Sequence, residues 1–401
     1  KREPDILTLA PDIEWDFTDK ERNFIIDAKA GNKLDDLFRM LFIKQCNLLH
    51  EVLPGLFEET EDYTEMLLNI SFTNEDDVIR MLVDGVDVEI IGWLYQYYNT
   101  ELKDDTFAKL KKNIKISKER IPAATQLFTP DWIVRYMVEN SVGRIWIEHL
   151  RANDPAVDEK ETAERFGWKY YLPEAEQEES VNVKLAEIRT TYKDMRPEDI
   201  TCIDPCMGSG HILIAMFDVL MDIYESAGYD KREAAYKIVE NNIHGLDIDQ
   251  RAYQLAYFAV MMKGRGYNRR FLNNRAGVLP KPKVYAFEES NEINRRHLEF
   301  FGLSMEKGER EKAVWQMEYL LDVFTDAREY GSILQVDECD WELVDRFIDD
   351  LQVEGQISLD SMECDETQEK LRGIVYIAEV LSRKYDVVVT NPPYMGSSGM
   401  V

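Results

Sequence analysis

Apolar side chains recur at every third or fourth position through FIIDAKAGNKLDDLFRMLFIKQCNLLHEVLPGLFE, and again through VEIIGWLYQYYNTELKDDTFAKLKK. That period sets them on one side of an α-helix. Residues 1–120 are therefore expected to form a helical N-terminal domain, punctuated at Pro54-Gly55. After Ile121-Pro122 the chain reads ATQLFTPDWIVRYMVENSVGRIWIEHL. Thr129 as N-cap and Pro130 in the first helical position predict one long amphipathic helix here. Trp132, Trp146 and the group Tyr95, Tyr97 and Tyr98 fall at helical spacing and are read as core.

From Ile200 the period changes. ITCID reads as a short strand and SGHILIAMFDVLMDIYESAG as a helix. IVENNIHGLDID reads as a helix end, a turn and a strand, followed by the apolar helix RAYQLAYFAVMMKGRG. KYDVVVT, with three successive valines, predicts a further buried strand. Strands alternating with helices imply a parallel, doubly wound sheet. The expected fold class is α/β, with a domain over 121–401 carrying insertions at about 151–199 and 266–330. No element is read in 266–330 or in the strongly acidic stretch 335–370.

Composition bounds the rest. A length of 401 residues suits two or three domains, and a 45% hydrophobic content allows a real core. No apolar run reaches the roughly 20 residues that span a bilayer, and KREPDILTLA lacks the apolar segment of a signal peptide. The five cysteines form no CxxC pair and no Cys/His cluster, so a zinc site is not expected and a reducing, cytoplasmic setting is. The net charge of −29 is opposite to the basic footprint of a free-standing DNA binder. Either nucleic acid is not the partner, or the basic surface lies on a part not present here.

Three motifs carry chemistry. Asp204-Pro205-Cys206-Met207-Gly208-Ser209-Gly210 follows a strand and opens a helix. Its glycines allow a tight turn and close approach of a ligand, at the strand end where open α/β sheets bind. It lacks both the GxGxxG spacing and the lysine of a phosphate-binding loop. Asp247, in HGLDID, falls at the end of the next strand, where a carboxylate can accept hydrogen bonds from ribose hydroxyls. Asp249 is left to open the following helix. The third motif, Asn391-Pro392-Pro393-Tyr394, follows the valine strand. The exocyclic amine of an aromatic base is a poor nucleophile because its lone pair is delocalised into the ring. The Asn391 side-chain carbonyl and the Pro392 backbone carbonyl can both accept from that amine and favour a more tetrahedral nitrogen. The prolines hold the acceptors in place, and Tyr394 offers a face on which an extruded base stacks. This chemistry requires no metal and no enzyme nucleophile. Plain readings stand beside each motif: a turn, a helix cap and a proline-rich corner.

With Phe128-Thr129-Pro130 upstream, the chain resembles the amino-methylating DNA methyltransferases that use S-adenosylmethionine. In that family Phe128, Thr129 and Pro130 correspond to motif X, Asp204 to Gly210 to motif I, Asp247 to motif II, and Asn391 to Tyr394 to motif IV. The order matches the gamma subgroup of adenine-N6 enzymes. IPAATQLFTPDWIVRYMVENSVGRIW, GWKYYLPEAEQ, EIIGWLYQYY and NPPYMGSSGM further resemble the PglX-type methyltransferases of bacteriophage exclusion (BREX) systems. The resemblance implies a Rossmann-like methyltransferase sheet preceded by an α-helical N-terminal domain. It implies Asn391, Pro392, Pro393 and Tyr394 as catalytic residues. Phe128, Thr129, Pro130, Asp204, Pro205, Gly208, Ser209, Gly210, Asp247 and Ile248 would bind the cofactor. It implies double-stranded DNA as substrate, held mainly by a target-recognition domain absent from this chain, and other BREX proteins as partners. For the family's acidic motif III, the best candidate is Gly331–Leu334, with Ser332 where Asp is usual.

Two other functions stay open. One is methyl transfer to RNA or a protein glutamine, which also uses NPPY. The other is a non-catalytic scaffold that binds the cofactor within a defence complex. A cytosine-type nucleophile at Cys206 is disfavoured, because it sits inside the cofactor turn. His211 and His244 read as packing or turn residues, and DPAVDEKE at Asp154–Glu161 as a solvated charge run.

Overall fold

The computed structural model describes residues 17–31, 33–50, 53, 103–112, 129–272, 279–352 and 359–392. The chain divides into two compact units, 1–94 and 95–401. In the first, helices α1 (Asp19–Ala30) and α2 (Leu34–His50) pack through Ile25, Ala28, Leu37 and Leu41. A capping box fixes the start of α1. Thr18 accepts from the Glu21 N–H, and the Glu21 carboxylate accepts from the Thr18 N–H. Pro54-Gly55, Tyr95, Tyr97 and Tyr98 lie outside the described residues.

The second unit is an α/β, Rossmann-like fold. Residues 103–110 are helical. Then come α3 (Asp131–Glu139), α4 (Val142–Asn153), α5 (Glu159–Phe166), α6 (Glu179–Thr191), β1 (Cys202–Asp204), α7 (His211–Ser226) and α8 (Lys231–Lys237). They are followed by β2 (Ile243–Asp247), α9 (Gln250–Tyr267), β3 (Lys283–Ala286), α10 (Lys307–Val323), α11 (Trp341–Asp349), α12 (Leu359–Ser382) and β4 (Val387–Val388). The strands are parallel, in the order β3-β2-β1-β4. Register pairs Ile203 with His244 on one side and with Val388 on the other.

That order has a topological consequence. The β1-to-β2 and β2-to-β3 connections step one way along the sheet, and the β3-to-β4 connection crosses back past β1. Helix α7 packs against α3, α4 and α9. The returning connection builds a core of its own, in which Met317, Leu320, Phe324, Val344, Phe347, Leu371 and Ile374 join Leu246 and Phe287. Where the connections diverge, between the carboxyl ends of β1 and β4, an open α/β sheet leaves a crevice.

Several expectations change. The helix expected to run on from Thr129 is two helices, α3 and α4. Asn140, at the break, is held from outside: its Nδ2 donates to the Tyr170 carbonyl and its Oδ1 accepts from the Leu172 N–H, each at 2.8 Å. Pro130, not Thr129, is the N-cap of α3, and no side chain caps it. The Thr129 hydroxyl is engaged elsewhere. Trp146 is core, but Trp132 is 55% exposed. The three valines do not form a uniformly buried run: Val387 and Val389 are buried and Val388 is 59% exposed. β4 pairs with β1 alone among the described residues, so its alternate positions part between core and solvent.

The GWKYYLP segment is sewn to these helices. Trp168 donates from Nε1 to Asp222 Oδ2 at 2.9 Å. A side chain at Gly143 would meet the Trp168 ring at 2.8 Å, so only glycine permits that approach. No helix among the described residues is long and apolar enough to cross a membrane.

Candidate active site

The turn after β1 is built on one buried carboxylate. Asp204 is fully buried, and its Oδ1 accepts from the Cys206 N–H at 3.1 Å. The Met207 N–H donates to the Leu246 carbonyl at 2.9 Å, tying the turn to β2. Gly208 (φ 53°) and Gly210 (φ 85°) both take left-handed backbone. They differ in surroundings. A Cβ at Gly210 would lie 3.0 Å from the Ala256 Cα, so this glycine seats α7 against α9. A Cβ at Gly208 would meet nothing within 4 Å among the described residues, so this glycine borders open space there. Pro205 and Ser209 lie half-buried in the same turn.

Asp247 ends β2 and closes the turn. Its Oδ2 accepts from the Gly208 N–H and its Oδ1 from the Asp249 N–H, both at 2.9 Å. Asp249 caps α9 by accepting from the Arg251 N–H at 2.9 Å, as its place at a helix start requires. Burial pushes the Asp204 carboxyl up to about 7, and the neighbouring Asp247 charge adds to that. Burial raises Asp247 to about 6. Among the described residues neither carboxylate forms an ion pair with a lysine or arginine. Two acidic groups beneath one glycine turn, short of cations, suit a cationic ligand.

β4 delivers the remaining groups. Thr201 accepts from the Asp386 N–H at 3.2 Å and donates its hydroxyl to Asp386 Oδ2 at 2.8 Å. Val389 donates to the Ile203 carbonyl at 3.1 Å, the last bond of this ladder among the described residues. Thr390 follows, with a buried hydroxyl that lies by the Asp204 carboxyl and favours its ionised form against the cost of burial. Asn391 comes next, and its Nδ2 donates to Thr129 Oγ1 at 2.8 Å. Pro392 is exposed, while Phe128, Pro393 and Tyr394 lie outside the described residues.

The segment Gly331–Leu334 reaches this site as well. Gly331 approaches Ile248 so closely that a Cβ would lie 3.2 Å from the Ile248 Cγ2. Ser332 Oγ stands 3.6 Å from the Cys206 Sγ, and Ile333 is 75% exposed. The sequence marked Ser332 only as the place where an acid is absent. Its contact with Cys206, 126 positions away, has no signature in spacing.

Other singled-out residues have structural roles. Burial pushes the Cys206 thiol up, away from the thiolate a nucleophile needs. His244 is buried in β2, with Nδ1 near the Cys202 and Asn242 carbonyls, and burial lowers it to about 4. His211 opens α7, its Nε2 3.7 Å from Asp131 Oδ1. In DPAVDEKE, Asp158 caps α5 and Glu159 pairs with Arg151. Glu148, Glu159 and Glu174 approach one another closely enough to hold a metal ion, but Arg151 and Arg189 are paired among them. The guanidinium groups already compensate that charge.

The chain is 40% identical to the adenine-specific methyltransferase PglX of Lacticaseibacillus casei (strain Zhang), over 99% of its own length and 33% of that protein's. It is 37% identical to the adenine-specific methyltransferase BrxX of Escherichia coli O9:H4 (strain HS), over the same shares. Over nearly its whole length the chain is thus similar to the PglX and BrxX adenine-specific methyltransferases. Residues 241–401 also match the Eco57I restriction-modification methylase family. That match runs from the strand bearing Asp247 through Asn391. The chain spans about a third of the length of these curated relatives.

Proposed function

We propose that this chain carries the cofactor- and base-binding core of an adenine-N6 DNA methyltransferase that uses S-adenosylmethionine. We infer a BREX-type phage-defence setting, with double-stranded DNA as substrate and other BREX proteins as partners. The observation that carries the reading is the pairing of β1 with β4, which sets the Asp204–Gly210 turn and Asn391 on adjacent strand tips at the switch point.

The residues fit the cofactor. The open side of Gly208 leaves room for its methionine part. Asp247, already turned toward the Gly208 N–H, has lone pairs left for ribose hydroxyls. Asp204 lies beneath the turn, where its charge favours the cationic end of the ligand. Thr129, Pro130, Pro205, Ser209 and Ile248 complete the surround. When bound, S-adenosylmethionine supplies a methyl group activated by its sulfonium. The protein's share is placement and polarisation. Asn391 Oδ1 and the Pro392 carbonyl accept the two amine hydrogens of a flipped adenine, and Tyr394 stacks on its ring. These bonds draw the nitrogen toward a tetrahedral shape and turn its lone pair to the methyl. With the cofactor bound, the methyl would pass to that nitrogen as its S–C bond breaks, leaving a neutral thioether, and one amine proton would go to solvent.

The net charge of −29 assigns most DNA contact to the part of the relatives that this chain does not span. The test is single-molecule sequencing of host DNA with and without the gene. Adenine modification at one recurrent sequence, present only with the gene, is expected. Genomes with identical modification would refute the reading.

A further inference from the structure

We propose that Thr129 is a positioning residue for Asn391, holding its amide in the pose that accepts the substrate amine. This rests on the function proposed above and assigns Thr129 a role beyond cofactor contact. Among the described residues the last β4-to-β1 bond is Val389 N–H to the Ile203 carbonyl. Asn391 lies two residues further on, past the ladder that would otherwise hold it. A tether on that side chain has two torsions to fix.

Thr129 supplies the tether. Its Oγ1 accepts from Asn391 Nδ2 at 2.8 Å, across 262 positions of sequence. The amide group is planar, so a bond at its nitrogen fixes the plane in which the oxygen lies, while the hydroxyl, able to accept or donate, leaves the choice of outward atom to the substrate amine. Adenine's amine offers only donors at these positions, so the oxygen must face it and the nitrogen must face away. A reversed amide would set donor against donor.

Thr129 is itself well referenced to the glycine turn. It immediately precedes Pro130, the N-cap of α3, and α3 packs on α7 with Val134 and Val138 buried. α7 is the helix that the Gly208–Gly210 turn opens. One hydrogen bond thus gauges the amine acceptor against the element that bounds the cofactor space. The structure also accounts for why Thr129 does not cap α3: its hydroxyl serves Asn391 instead.

The test uses the full-length protein with unmodified genomic DNA from a strain lacking the gene. Wild type, Thr129→Val and Thr129→Ser are compared for methyl incorporation and, by calorimetry, for affinity toward S-adenosylmethionine. Valine keeps the shape and removes the hydroxyl, and serine restores it. We expect kcat to fall about 10- to 100-fold in Thr129→Val. Thr129→Ser should recover most of that loss, and any fall in cofactor affinity in Thr129→Val should be smaller than the fall in kcat. Full activity in Thr129→Val overturns the proposal. So does a normal kcat with weakened cofactor binding, which would make Thr129 a cofactor contact only. A wild-type protein that methylates no adenine would instead refute the function itself, and the proposal with it.

Discussion

The Gly208 N–H donates to Asp247 Oδ2 at 2.9 Å, joining two motifs 39 positions apart. The contact makes the glycine turn and the carboxylate proposed for the ribose one unit. Asp247 uses its other oxygen for the Asp249 N–H, so it also steadies the start of α9. A residue read from sequence as a ligand contact therefore also shapes the turn.

Removing Asp247 should weaken the cofactor in two ways, by losing ribose acceptors and by loosening Gly208. Asp247→Ala is expected to lower S-adenosylmethionine affinity at least tenfold, about 1.4 kcal/mol. Asp247→Asn keeps one acceptor oxygen and should lose less. Calorimetric titration of both variants measures the difference. Affinity unchanged in Asp247→Ala would remove Asp247 from the site.

The two glycines of the turn should respond differently to alanine. Gly210→Ala combines left-handed backbone with a Cβ 3.0 Å from the Ala256 Cα. The backbone cost is about 1–2 kcal/mol and overpacking adds about 1–3, so its thermal midpoint should drop sharply. Gly208→Ala carries the backbone cost alone, since its Cβ would meet nothing within 4 Å among the described residues. It should melt nearer to wild type yet bind the cofactor poorly, because the methyl enters the space assigned to the ligand. Melting curves and cofactor titrations on both proteins check this. Equal destabilisation of the two would contradict the packing argument.

The pH dependence has a definite sign. The folded-state Asp204 is raised from 3.8 to about 7, so folding tightens its hold on the proton. Stability from this group is fully present below 3.8 and is lost as pH rises to about 7. A cationic cofactor favours the ionised carboxylate, so its affinity should move the other way and rise with pH through the same window. Asp247, raised to about 6, adds to the trend in the same direction. Asp204→Asn should flatten both dependences, stability by melting and affinity by titration. A variant that keeps the wild-type slopes would assign them to other groups.

Much of this fold was legible in sequence, and the misses have physical causes. ITCID, HGLDID and the helix between them announced themselves because short apolar runs end in glycine and aspartate turns. β3 went unread because its four residues alternate between buried and half-buried, with Lys283 and Tyr285 on the less buried side. α11 and α12 lay hidden in an acidic stretch whose charge masked an apolar stripe. Leu343, Val344, Phe347 and Ile348 are all buried there. The site motifs were visible because each is local. The bond between Thr129 and Asn391 and the contact between Cys206 and Ser332 join distant segments, and only the folded chain brings them together.

The account stands on the Asn391 amide as the acceptor that activates the target amine. The most direct measurement compares genomic adenine methylation in cells carrying the wild-type gene with cells carrying Asn391→Ala, alongside cofactor affinity of the purified full-length proteins. The account predicts that modification disappears while affinity stays within about twofold, since the residue acts on the transition state and not on the cofactor. Undiminished methylation by Asn391→Ala would contradict it.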